Sequence, residues 1–257
     1  MAYPAIEKAF SSLAKVLLGR ELSDLDSYAE WLSRDVRMLT PQKSALSGKT
    51  VYLSFFSFFQ ETRGRVIKLD EGEELGKKSL SLESARGLSL SNAAEMLREI
   101  KLYAAESVVG ENIEVEEVGQ HGYSSFCYRG DAFVYSKYCA YSFWPRSGEY
   151  IFGSDFVFSS KFCLKCYSSV NITRCFEVSH SVNCSDCYFC HNCENVHDSM
   201  FCFNSKNLRH AVGNRELPRE EYLEIKERML SQVYGMLQKE KGIPYGIFNL
   251  SEWKKNE

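Results

Sequence analysis

Between Val157 and Leu208 every third residue is small or apolar, and none is charged. The series reads Val157, Ser160, Cys163, Cys166, Ser169, Ile172, Cys175, Val178, Ser181, Cys184, Cys187, Cys190, Cys193, Val196, Ser199, Cys202, Ser205 and Leu208. A helix buries residues at spacings of three and four, and a half-buried strand at two. An unbroken spacing of three predicts a coil of three-residue sides, each with one inward residue and a corner before the next side. Writing the chain in rows of twelve aligns more than this register. The column Tyr128, Ala140, Phe152, Leu164, Phe176, Tyr188 and Met200 is almost wholly apolar, and another column holds Asn171, Asn183, Asn195 and Asn207. Asparagine tolerates the left-handed backbone that a corner needs, and its amide can bond the same residue one coil on. A period of nine aligns several cysteines but neither of these columns. The prediction is a β-solenoid (β-helix) of about 12 residues per coil over 114–211, with four sides per turn and a rise of about 4.8 Å per coil.

The flanks read differently. Over 1–113 the pattern predicts a small α+β domain. It expects a helix from Pro4 to Leu18 and a second helix capped by Ser23 and carrying Leu25, Leu32, Val36 and Leu39. Buried strands are expected at Thr50–Phe59 and Arg65–Leu69, a charged loop at Asp70–Lys78, and a helix from Asn92 to about Val108. After Leu208 the register stops. Leu217-Pro218 opens an amphipathic helix whose stripe is Tyr222, Ile225, Met229, Val233 and Leu237, ended by Gly242 and Pro244. This segment, 212–257, is predicted to cap the solenoid, since an open strand edge must be covered.

All ten cysteines of the 257-residue chain lie in the inward register, the first at Cys127. Cys184, Cys187, Cys190 and Cys193 fall one on each side of a single turn, so four thiols point at one axis. Three readings follow. The thiols are small polarizable core residues, which explains why Ser, Val and Ile share their columns; they are zinc or iron–sulfur ligands; or they pair as disulfides, against which a reducing cytosol argues. The first is favoured and implies no cofactor, with a metal-binding protein as the alternative. Inward cysteines cannot meet a substrate, and no phosphate-binding loop, nucleophile elbow or dinucleotide fingerprint occurs. The chain is therefore expected not to be an enzyme. Net charge −3 argues against a strongly basic nucleic-acid binder. No apolar run reaches membrane length, and the charged N-terminal segment is a poor secretory signal. A cytoplasmic protein is expected.

One surface feature bears on partners. Phe126, Tyr138, Tyr150 and Phe162 share a column, with Trp144 and other aromatics expected beside them, whereas later coils place Arg174, Asp186 and Asp198 in that column. Such a stripe is either covered by the N-terminal domain or offered to a protein partner or another copy. Stacked bases are a weaker reading that requires Arg129, Lys137 and Arg146 alongside.

The run from Cys163 to about Met229, with CSDCYFCHNC, NSKNLRH and REEYLEIKERM, resembles the C-terminal segments of cysteine-rich microbial proteins of unknown function. That resemblance implies a cysteine-rich solenoid with a helical cap and brings no activity. The N-terminal zinc ribbons of many such proteins have no counterpart here. The coil is also similar to twelve-residue antifreeze solenoids, but their regular Thr-x-Thr face is absent. The function expected is a non-enzymatic structural scaffold or protein-interaction module.

Overall fold

The computed structural model describes residues 2–250, and the end of the predicted cap, 251–257, lies outside them. From Tyr123 to His210 every third residue has a left-handed backbone, with φ between 42° and 60°. Each such residue is a corner, the next residue points inward, and the third points out. This conformation costs an L-residue about 1–2 kcal/mol. It is repaid by what it makes: a parallel sheet in which residue i pairs with i+12. Cys127, Cys139, Ile151, Cys163 and Cys175 stand in register on successive strands. Asparagine occupies exposed corners as expected, and Asn171 bonds Asn183 and Asn195 bonds Asn207, each at 2.6 Å.

The core of the coil is narrow and is filled by the predicted residues. Cys127, Cys139, Cys163, Cys175, Ile151, Val157, Ile172 and Val178 are buried in one cluster with the other six cysteines. The inward serines find backbone partners. Ser142, Ser154, Ser160, Ser169, Ser181 and Ser199 each accept the N–H one coil on, at 3.0–3.2 Å. Each hydroxyl also donates to the carbonyl two residues back. These inward hydroxyls are thus satisfied within the coil itself.

Pairing begins before the expected start. Ser107–Val109 lies parallel to Gln120–Gly122 with a thirteen-residue offset (Ser107 opposite Gln120), and Ile113–Val118 pairs with Ser125–Gly130 at the regular twelve. At the far end the strand Ala211–Val212 is closed by antiparallel Arg215–Glu216.

The outward column Tyr128–Met200 is roofed by helices. Helix Pro4–Leu18 lays Ile6, Phe10, Leu13 and Leu17 on it, and helix Arg219–Glu240, which follows the last coil, adds Tyr222, Leu230, Val233 and Leu237 to the same cluster. Phe10 meets Phe152 at 5.5 Å between ring centres, and Tyr222 lies 5.6 Å from the His210 ring of the last corner. Gly153 occupies a corner at φ +60°, in the column that ends at Gly213. A Cβ there would stand 2.9 Å from the Leu32 side chain, so glycine is what lets the segment Ala29–Ser33 approach.

Between Ser23 and Ile113 several expectations give way to tertiary contacts. Ser23 caps nothing. Asp24 takes φ +65°, and Glu7 receives the N–H of Leu25 (3.0 Å), so a 3-10 turn Leu25–Tyr28 runs into a helix that stops at Ser33. The strand Thr50–Phe59 ends at Leu53. Ser54 turns to bond buried Asp131, and Ser57–Gln60 is a helical turn that places Phe55 and Phe56 on Phe143. Of Arg65–Leu69 only Val66–Ile67 is extended, paired with Tyr103–Ala104. The charged stretch is not a loop but a helix, Leu69–Leu75, because Glu71 reaches back to the N–H of Lys68 (2.8 Å). The helix expected from Asn92 to Val108 is confined to Ala93–Met96, since Tyr103–Ala104 and Ser107–Val109 are claimed by strands.

Candidate interaction surface

Phe126, Tyr138, Tyr150 and Phe162 form one corner of the solenoid, all at φ 54–57°. Their rings follow one another from coil to coil with centres 5.0, 4.9 and 4.7 Å apart, the outer two pairs stacked and Tyr138–Tyr150 tilted by 34°. All four are half-buried, and Tyr138, Tyr150 and Phe162 lean against the helical roof. Lys137 Nζ sits 4.9 Å over the Tyr138 ring, and Lys161 pairs with Glu149 at 2.9 Å on the adjoining side. From Arg174 on, the corner is polar, and Arg174 forks onto Asp186 at 2.7 and 2.6 Å.

Trp144 does not join them. Six positions away in a twelve-residue coil is the opposite corner. There Phe56 covers Trp144 at 5.4 Å, and the Arg37 guanidinium stacks over Phe143 (4.4 Å) and Phe156 (4.2 Å) while pairing with Asp155. Arg129 is also drawn elsewhere, held by Glu117 at 2.7 Å and by Tyr141 at 3.1 Å. The N-terminal segment thus covers one aromatic group and leaves the stacked corner half open.

Cys184, Cys187, Cys190 and Cys193 are inward, each at most 2% exposed. Each thiol donates to the carbonyl two residues back, at 3.3, 3.3, 3.4 and 3.5 Å, and to a second carbonyl nine residues on. All ten cysteines are free. Among the described residues no group of three or more His, Cys, Asp or Glu is placed to hold a metal ion. The histidines of these coils point outward, His191 to Ser179 (2.8 Å) and His197 to Ser185 (2.9 Å). Burial pushes the Cys139 and Cys166 thiols well above their ordinary range, while hydrogen bonds from neighbouring thiols lower Cys184, Cys193 and Cys202, the last to about 7. What shields all ten from reagents is burial, each at most 2% exposed. In the native protein a thiol reagent is expected to react with none of the ten within minutes, and with all ten after denaturation. Fast native labelling, or thiols still blocked by a metal that elemental analysis detects, would contradict core packing.

Sequence reasoning missed a polar cluster. Lys165 and Glu177 are consecutive corners of one column, twelve residues apart, and each is about 1% exposed. Lys165 Nζ donates to the Trp31 carbonyl (2.9 Å) and to Asp35 (3.2 Å). Glu177 accepts the N–H of Ile247 at 2.9 Å, while its second carboxyl oxygen has no partner. Arg34, Asp35, Tyr245 and Phe248 are among the residues that line a cavity of about 80 Å³ beside them. Burial pushes the Glu177 carboxyl up to about 7, against the pull of Lys165. The signal was present: Lys165 and Glu177 are opposite charges one coil apart in a column that also holds the pair Glu117 and Arg129 besides Tyr141, Gly153, Phe189 and Phe201.

Among the described residues no helix is long and apolar enough to cross a membrane. No family model, curated protein or solved structure matches the chain.

Proposed function

We propose that this chain is a non-enzymatic scaffold whose solenoid presents its uncovered sides to a protein partner or to other copies of itself. The observation that carries this reading is the stacked aromatic corner. At most exposed corners the chain uses small polar residues, Asn at 171, 183, 195, 207, 192 and 204 and Ser at 147, 159 and 168, all left-handed, with the exposed stacked pair Tyr123 and Tyr135 as a second aromatic corner. At 126, 138, 150 and 162 it holds bulky rings in the same strained conformation, half in contact with water. Strain retained against a cheaper alternative points to use, and a rigid ladder of aromatic rings suits protein contact because little side-chain freedom is lost on binding. The zinc or iron–sulfur alternative rests on the convergence of the Cys184–Cys193 thiols, and thiol titration with metal analysis separates it from this one.

Tyr138→Asn with Tyr150→Asn keeps a residue that tolerates the corner and removes the rings. By size exclusion with light scattering, the wild type is expected to show a mass above its 29.5 kDa monomer or a retained partner, and the double variant to lose either. A wild type that is monodisperse, monomeric and without a partner would overturn the reading.

A further inference from the structure

We infer that the two ends of the solenoid bind each other, so that copies of this chain join head to tail, the first strand of one against the last strand of the next. This deepens the scaffold reading and rests on it. One sheet runs the length of the rod. Its terminal strands, Ile113–Val118 and Arg215–Glu216, each pair on one side only among the described residues. The first end is apolar at its surface, with Val109 54% and Ile113 58% exposed. A bare strand edge is a template for another strand.

Charge selects the partner. From 102 to 128 the chain carries five glutamates and no Asp, Lys or Arg. Glu106 pairs with Lys68 and Glu117 with Arg129, which leaves Glu111, Glu114 and Glu116 at the exposed edge. From 199 to 219 it carries Lys206, Arg209, Arg215 and Arg219 against Glu216 alone. Lys206 is paired with Glu194, while Arg209 and Arg215 are exposed and in no ion pair among the described residues. Like charges on one end oppose meeting of two first ends or two last ends, and opposite charges favour only the head-to-tail contact. Such a contact is heterologous and does not close on itself, so the product is a short open filament rather than a dimer.

Sedimentation velocity on the full chain over a concentration series tests this. The wild type is expected to self-associate at about 20 mM salt and much less at about 500 mM. Glu114→Lys with Glu116→Lys makes both ends basic, and Arg209→Glu with Arg215→Glu makes both acidic. Each double variant alone is expected to associate at least about tenfold more weakly, and an equimolar mixture of the two to recover wild-type association. Recovery in the mixture also shows that both variants are folded. Variants that associate as well as the wild type, or a mixture that does not recover, overturn the end contact. If Tyr138→Asn with Tyr150→Asn abolishes association while the end variants do not, the end contact fails and the aromatic corner keeps its role. The reverse pattern supports the end contact and leaves the corner without one. A wild type that stays monomeric in low salt overturns the end contact, and a partner retained on it would leave the scaffold reading in place.

Discussion

Replacing Lys165 by Met is expected to lower the unfolding free energy by about 3 kcal/mol at neutral pH, the scale for breaking a buried ion pair from one side. Methionine matches the length of the stem, so little packing is lost along the corner. What is lost is the ammonium, about 1% exposed, that donates to the Trp31 carbonyl and to Asp35 and lies one coil from Glu177. The Trp31 carbonyl loses its buried donor, and Glu177 loses the cation that opposes its desolvation. Asp35 is partly exposed and can hydrate, which keeps the loss at the low end of that scale. Urea unfolding checks it: the midpoint falls while the slope stays constant. Lys165→Met with Glu177→Gln should lose less than Lys165→Met alone, because no buried carboxylate is left without its cation. A loss below about 1 kcal/mol, or strictly additive variants, would mean that the pair is not coupled.

The repeat was legible because its cause is local and repeated. A corner every third residue forces each inward residue into a narrow column, so the cysteines, serines and valines print the coil length on the chain. The apolar column Tyr128–Met200 helped fix the coil length, but that it is the covered side shows only in the structure, where Ile6, Phe10, Leu13 and Leu17 lie on it. What one row of sequence could not show is which distant segment lies on which side. Phe55 and Phe56 read as strand residues until Phe143 and Trp144 supply them a surface. Trp144 and Tyr138 sit near each other in sequence but on opposite corners. Glu71 makes a helix of a charged stretch by bonding Lys68, and Ser107–Val109 is a strand because Gln120–Gly122 lies beside it. The Lys165–Glu177 pair lay within reach of the twelve-residue alignment. A column read for its apolar members hides Lys165 and Glu177, whose burial depends on Trp31 and Ile247, far away in sequence on either side.

Glu177 should give the chain a pH-dependent stability of unusual sign for a carboxylate. Its pKa is about 7 in the folded protein against 4.5 without the fold. The folded state therefore holds the proton more tightly, and the contribution is fully present below about pH 4.5. It is lost as pH rises toward and through 7, by roughly 3 kcal/mol in all, since each pKa unit is worth about 1.4 kcal/mol. Asp26 and Glu71 are shifted the other way, with hydrogen bonds to both and Arg129 beside Asp26 outweighing desolvation. They add stability at higher pH and mask the trend in a single profile. The groups facing Glu177 are Lys165, Arg34 and Asp35, together with the backbone N–H of Ile247. Glu177→Gln keeps an acceptor for that N–H and removes the titration. The difference in unfolding free energy between Gln variant and wild type should then be flat below about pH 4.5, grow in favour of Gln by roughly 3 kcal/mol up to about pH 8, and level off. Hydrogen exchange at the Ile247 amide gives a second readout, with protection in the variant losing its dependence on pH over that window. Parallel stability profiles would show that the carboxyl is hydrated or paired in the native protein, and that residues 243–249 are not held down by it.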